Sequence, residues 1–175
     1  VITGHEDPTK DASSIDYSSL ARMAGTKVIL MGVERIGQIA GSLVAEGMDK
    51  STPVAMIRWG TTGQQQSIEG TLGTIAALVT EKKFTAPAVT VIGDVVKLRS
   101  TLNWFERRPL FGQRIVVTRT REQASELSRQ LLELGAEVLE VPTIRIVPPD
   151  DKNSLVEAMQ GFGEYDWLIF TSPNG

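Results

Sequence analysis

The sequence predicts an α/β fold in which a layered sheet is covered by crossover helices. Two observations predict it. Short apolar runs rich in β-formers recur along the chain, and the segments between them repeat apolar residues at helical rather than alternating spacing. Strands separated by helices build sheets whose neighbouring strands run parallel, because each helix carries the chain back across a face of the sheet.

The elements follow in order. TKVILMG (26–32) is a compact strand-like run, and Val33, Ile36, Ile39, Ala40 and Leu43 behind it fall on one helical face before Gly47. PVAMIRW (53–59) reads as a second buried strand and GTTGQQQ (60–66) as a polar loop. SIEG (67–70) is a candidate antiparallel strand, and LGTIAALVTEKK (72–83) reads as a helix with Leu72, Ile75, Ala76 and Val79 facing inward. AVTVIGDVV (88–96) closes a first unit that ends near Leu102.

After the bulky, basic stretch WFERRPLFGQ (104–113), IVVTR (115–119) starts a second strand–helix cycle. Thr120 and Gln123 form a capping box, and Ala124, Leu127, Leu131 and Leu134 make the inward face. Gly135 stands where a left-handed C-terminal residue is wanted. AEVLEVP (136–142), LVEAMQGF (155–162) and DWLIFTS (166–172) then read as strand, helix and strand. Trp104, Phe105 and Phe111 favour a packed connection, since exposed aromatic rings are costly in a true linker.

Composition narrows the function classes. The chain has no cysteine, which excludes a thiolate nucleophile, a disulfide and a cysteine-based metal site, and its single histidine disfavours a histidine-rich one. A net charge of −3 with scattered basic residues gives no general attraction to nucleic acid. No apolar run approaches the roughly 20 residues needed to span a bilayer, and the chain is expected to be cytoplasmic. It opens on VITGHEDP and ends on WLIFTSPNG, strings that read as interior pieces, so the expectation is an excerpt of a longer polypeptide.

In an open α/β sheet, ligands bind at the carboxyl ends of strands, where LMGVER, RWGTTGQQ, VTRTREQ and FTSPNG lie. Gly32 leaves room for a ligand beside Met31, whose thioether suits an apolar ring face. On spacing alone, the favoured reading is Met31 in the core and Gly32 as the start of a turn. RWGTTGQQ is either a plain polar loop or a second contact. VTRTREQ places Arg119 and Arg121 at a helix N-terminus, where free N–H groups favour anions. With the hydroxyls of FTSPNG it describes a small-polyanion site, or else a helix cap with solvated charges and an Asn-Gly turn. TGHEDP (3–8) holds the lone histidine without a nucleophile to activate, and reads as an Asp-Pro turn. No GxGxxG or GxxxxGK[ST] string is present.

As a set, VITGHEDPTK, GTKVILMGVERIGQIAGSLVAEGMDKSTPVAMIRWGTTGQQQSIEGTL and APAVTVIGDVVKLRSTLNWFE resemble the C-terminal half of uroporphyrinogen-III C-methyltransferases of the tetrapyrrole methylase family. FGQRIVVTRTREQASELSRQLLELGAEVLEVPTIRI and YDWLIFTSPNG resemble the start of uroporphyrinogen-III synthase. The resemblance implies a bifunctional parent that cyclises hydroxymethylbilane to uroporphyrinogen III and methylates it with S-adenosylmethionine to precorrin-2, for sirohaem or cobalamin. It implies residues 1–103 as the C-terminal part of the methylase with its layered αβα sheet, 104–113 as linker, and 114–175 as a truncated, parallel α/β synthase unit.

Carried over by position, Met31 and Gly60 match methyl-donor contacts, and Thr3, Gly4 and His5 match a TGH string lining the same cleft. Arg119, Thr171 and Ser172 are the expected binders of the substrate carboxylates. The family's glycine-rich donor loop and proposed proton-transfer residues have no counterpart here. No catalytic residue is therefore expected in the chain, and the excerpt alone is expected to be inactive. The methylase resemblance also implies a homodimer with small-molecule substrates, and no nucleic acid or membrane partner. The competing reading is a non-enzymatic α/β module that binds a nucleotide or small anion.

Overall fold

A computed structural model describes residues 1–4, 15–118, 121–143, 147 and 150–171, with backbone alone at 121–124. It is an α/β structure containing a mixed five-stranded sheet and a parallel two-stranded one. The first sheet is built from β1 (Ile2–Thr3), β2 (Lys27–Leu30), β3 (Pro53–Arg58), β4 (Gln66–Thr71) and β5 (Ala88–Ile92), in the order β1-β2-β5-β3-β4. β1 runs parallel to β2, whereas β5 is antiparallel to both β2 and β3, and β4 is antiparallel to β3. The antiparallel reading of SIEG thus corresponds to β4. β5 departs from the parallel expectation because it enters the sheet from the opposite edge.

Register explains the burial. Ile29, Thr90, Met56 and Ile68 form one row across the sheet, and Ile92 and Val54 lie two residues away on the same face. These side chains are buried under α1 (Tyr17–Arg22), α2 (Ile36–Ala45) and α3 (Ile75–Glu81), where Ile36, Ile39, Leu43 and Ile75 meet them. The expected faces of α2 and α3 are therefore the observed ones. β1 and α1 were not legible in the sequence: two residues carry no strand period, and YSSLAR has one buried residue, Leu20. Asp16 caps α1 by accepting from the Ser19 N–H at 2.8 Å.

Beyond β5 the chain makes a 3-10 turn (Asp94–Leu98) and the short helix α4 (Arg99–Leu102), then enters the 104–113 stretch. That stretch is packed. Phe105 is buried and stands edge-on to both Trp104 and Phe111, while the Arg108 guanidinium sits 4.7 Å from the ring centres of Trp104 and Phe105.

β6 (Arg114–Val117) and β7 (Glu137–Glu140) pair in parallel, joined by α5 (Arg121–Glu133). Gly135 ends α5 at φ +94°, with the Ala136 N–H bonded to Leu131 O and the Gly135 N–H to Leu132 O, as the left-handed terminus requires. The capping residue Thr120 lies outside the described residues. Leu127 and Leu134 are 40% and 42% exposed, against expectation, because two strands offer too little sheet to cover them. α6 (Asn153–Gln160) forms as expected, but no strand forms at 166–171. Trp167, Leu168, Ile169 and Phe170 stay exposed there, and no described strand pairs with them.

Candidate functional site

The carboxyl ends of β1, β2 and β3 share one edge of the first sheet. Thr3 pairs with Leu30, Leu30 with Val89 and Val89 with Ile57, so these residues form a single row across four strands. Immediately beyond that row lie Gly4, Met31 and Arg58, followed by Trp59 and Gly60. β2 and β3 are separated by β5 alone, which puts their ends about 10 Å apart. Thr3, Gly4, Met31 and Gly60 are thus brought to one edge. His5 lies outside the described residues.

Packing at this edge leaves no room for side chains at Gly4 and Gly32. The Gly4 N–H donates to Leu30 O at 2.7 Å, extending the β1–β2 ladder by one residue. A Cβ on Gly4 would stand 2.9 Å from Gly32 Cα and 3.0 Å from Ile29 Cγ2, so the two glycines let the strand ends close against each other. Met31 has φ 55° and is 61% exposed, which takes its thioether out of the core and into the space above the edge. Of the two roles open to Met31, core packing is therefore not the one observed.

The 59–65 loop crosses the same edge on left-handed backbone. Trp59 has φ 49° and Thr61 has φ 61°, an unfavourable conformation for bulky and β-branched residues, with Gly60 between them. Arg58 lies over the Trp59 ring, 3.6 Å from its centre. Inside the loop, the Thr62 hydroxyl donates to Trp59 O at 2.7 Å and Gln65 Oε1 accepts the Thr61 N–H at 2.7 Å.

The loop is also held from outside. Gln65 Nε2 and Ser67 Oγ donate to Glu106 Oε1 at 2.9 and 2.8 Å. Arg99 reaches both Glu106 oxygens at 2.7 Å, and Asn103 adds a bond at 2.8 Å. Burial alone would raise the Glu106 pKa, but the hydrogen bonds from Gln65, Ser67, Asn103 and Arg99 outweigh it and hold the carboxyl at about 2. On the far side, Gln64 Nε2 donates to Glu137 of β7, and a Cβ on Gly63 would fall 2.3 Å from the Glu137 nitrogen. Beside these contacts lies a groove of about 550 Å³ lined by Trp59, Phe105, Arg108 and Leu132, so the loop is held at a few points rather than buried. Sequence reasoning missed Gln65, Glu106 and Glu137, since their partners lie up to 73 positions away and no local spacing marks them.

The second candidate site sits at the other end of the β6–β7 pair. Thr143 N–H donates to Thr118 O at 3.3 Å there, closing the carboxyl end of the strands. Glu137, at the amino end of β7, touches the 59–65 loop. The two ends of a four-residue strand are about 10 Å apart, so the two candidate sites lie on opposite edges of this pair. Arg119 and Ser172 lie outside the described residues. Thr171 is exposed at the end of the 166–171 segment, and its expected juxtaposition with Arg119 falls on residues outside the described ones.

Residues 125–175 match the family model described as uroporphyrinogen-III synthase HemD. Over 175 residues the chain is 35% identical to a porphyrin biosynthesis protein HemD of Ruminiclostridium josui, covering 100% of this chain and 34% of that protein. Over 174 residues it is 36% identical to a uroporphyrinogen-III C-methyltransferase of Bacillus subtilis, covering 98% of this chain and 35% of that one. An S-adenosyl-L-methionine-dependent uroporphyrinogen III methyltransferase of Methanosarcina barkeri is 52% identical over 101 residues, 58% of this chain and 40% of that protein. The chain spans about a third of the length of the first two relatives. It is therefore similar both to uroporphyrinogen-III C-methyltransferases and, from 125 to 175, to uroporphyrinogen-III synthase.

Proposed function

We propose that the chain is part of a bifunctional tetrapyrrole enzyme that closes hydroxymethylbilane to uroporphyrinogen III and methylates that product twice, giving precorrin-2. Residues 1–103 are the C-terminal part of the methylase, 104–113 the connection and 114–175 the first part of the synthase. The observation that carries this reading is that nearly the whole chain aligns at 35–36% identity with proteins named for each of the two activities. The parent enzyme is cytoplasmic and dimerises through its methylase part.

S-adenosylmethionine supplies an electrophilic methyl carbon when bound. The residues at the first edge fit such a donor: an exposed thioether at Met31, backbone brought close by Gly4 and Gly32, and an open Gly60 flanked by left-handed residues. Thr3, Gly4, His5, Met31 and Gly60 hold and orient the donor. With the donor bound, transfer of its methyl group to a substituted pyrrole carbon would form a C–C bond as the S–C bond breaks, and charge would be balanced by loss of a proton from elsewhere on the macrocycle, to solvent or to a base outside these residues. In the synthase part, Arg119, Thr171 and Ser172 bind carboxylates of the linear tetrapyrrole. Holding that chain in a productive conformation favours loss of water and closure with ring D inverted.

The test supplies hydroxymethylbilane to the protein extended at both ends to the length of its relatives. Cyclisation is expected without the methyl donor and a dimethylated product with it. The 175-residue chain is expected to give neither. Unchanged substrate under both conditions with the extended protein contradicts the proposal.

A further inference from the structure

The loop that carries Gly60 is strained from within and fixed from without. Left-handed backbone at Trp59 and Thr61 persists only where surrounding contacts over-determine it. The Thr61 N–H is held by Gln65 Oε1, and Gln65 in turn is oriented by Glu106, which also accepts from Ser67, Arg99 and Asn103. Glu106 therefore reaches the Thr61 backbone through one intervening side chain. Its carboxylate is 19% exposed, so these bonds are largely screened from competing water. From the other side, Glu137 accepts from Gln64 while paired with Arg114 at 2.9 Å, and Gly63 packs against the Glu137 backbone.

We propose that Glu106, with Glu137 as a second hold, is a positioning residue for the methyl-donor site, setting the 59–65 loop through Gln65. This rests on the donor-site reading above. Two consequences follow from the geometry. Donor affinity depends on residues that come after the first sheet in sequence, and the second unit steadies the loop by the amino end of β7 while its own candidate site faces the opposite edge.

The test uses the full parent protein and two readouts: hydrogen exchange of the peptide spanning 59–66, and calorimetric affinity for S-adenosylhomocysteine. Glu106→Ala is expected to speed exchange at Thr61 and to weaken binding, each about tenfold. Glu106→Gln keeps one acceptor oxygen for Gln65 and is expected to recover part of both losses; it also serves if Glu106→Ala does not fold. Asn103→Ala removes one of four donors to Glu106 while leaving its carboxylate and Gln65 in place, and is expected to move both readouts less than Glu106→Gln does. Wild-type exchange and affinity in folded Glu106→Ala overturn the proposal and leave the donor site standing, as does an Asn103→Ala effect as large as that of Glu106→Ala. Faster loop exchange in a protein whose unmodified form binds no S-adenosylhomocysteine overturns the donor site and the positioning role together.

Discussion

The two sheets use the same alphabet of short β-branched runs and intervening helices, yet they are buried to different degrees. In the first, Ile29, Leu43, Val54, Met56, Ile75 and Ile92 are wholly buried between five strands and three helices. In the second, Val117, Ser128 and Ala136 are buried, while Leu132, Leu139, Trp167 and Ile169 stand at least half exposed. A helix–strand pattern specifies which residues turn inward. Burial follows only when enough strands and helices meet to cover both faces.

The sharpest way to break this contrast is to delete one apolar side chain from each sheet. Ile29→Ala is expected to cost about 3–4 kcal/mol, because a residue buried on all sides leaves a cavity. Leu139→Ala, at a position 50% exposed, is expected to cost under about 1 kcal/mol. Denaturant titration of the two variants checks this, and equal losses would remove the distinction.

A smaller effect is expected at the edge between strands. Gly4→Val places a side chain where a Cβ already meets Gly32 Cα at 2.9 Å, so β1 is forced away from β2 at a cost of about 2 kcal/mol. Thermal melting reads the stability loss, and a protein as stable as the parent would show that the two strand ends do not need to close.

Acid probes the connection between the sheets. Glu106 sits at about 2 in the folded chain against an ordinary 4.5. Its stabilisation is therefore complete above about pH 4.5 and lost as pH falls towards 2. With residual solvent contact discounted, the loss is about 2 kcal/mol. Stability curves measured from pH 6 to 2.5 should converge for the parent and Glu106→Gln at the acid end. Gly135→Ala is expected to cost about 1–2 kcal/mol in the same denaturant titration, because φ is +94° and a Cβ would press within 2.8 Å of Arg108 Cβ.

Much of the first sheet was legible because its elements are long enough to show their period. Ile36, Ile39, Ala40 and Leu43 announce α2 and pack as their spacing requires. The antiparallel course of β5 was not legible, since AVTVI reads the same in either direction. DWLIF has strong β-formers, but a strand needs a neighbour to bond with, and none of the described strands supplies one. At the candidate site, Met31 and Gly60 were marked by their places at strand ends. Left-handed Trp59 and Thr61 were not, because neither residue type favours that conformation and long-range contacts impose it. Glu106 looked like one more charge in a basic stretch, and its role depends on four donors gathered from three parts of the chain.

Titration of S-adenosylhomocysteine, by calorimetry, into this chain and into the same chain extended upstream tests the central claim most directly. On the proposed function, the edge formed by Gly4, Met31 and Gly60 supplies one side of the donor site, so the extended protein is expected to bind and the 175-residue chain to bind at least tenfold more weakly or not at all. Absence of binding by both would contradict the assignment of that edge to the methyl donor.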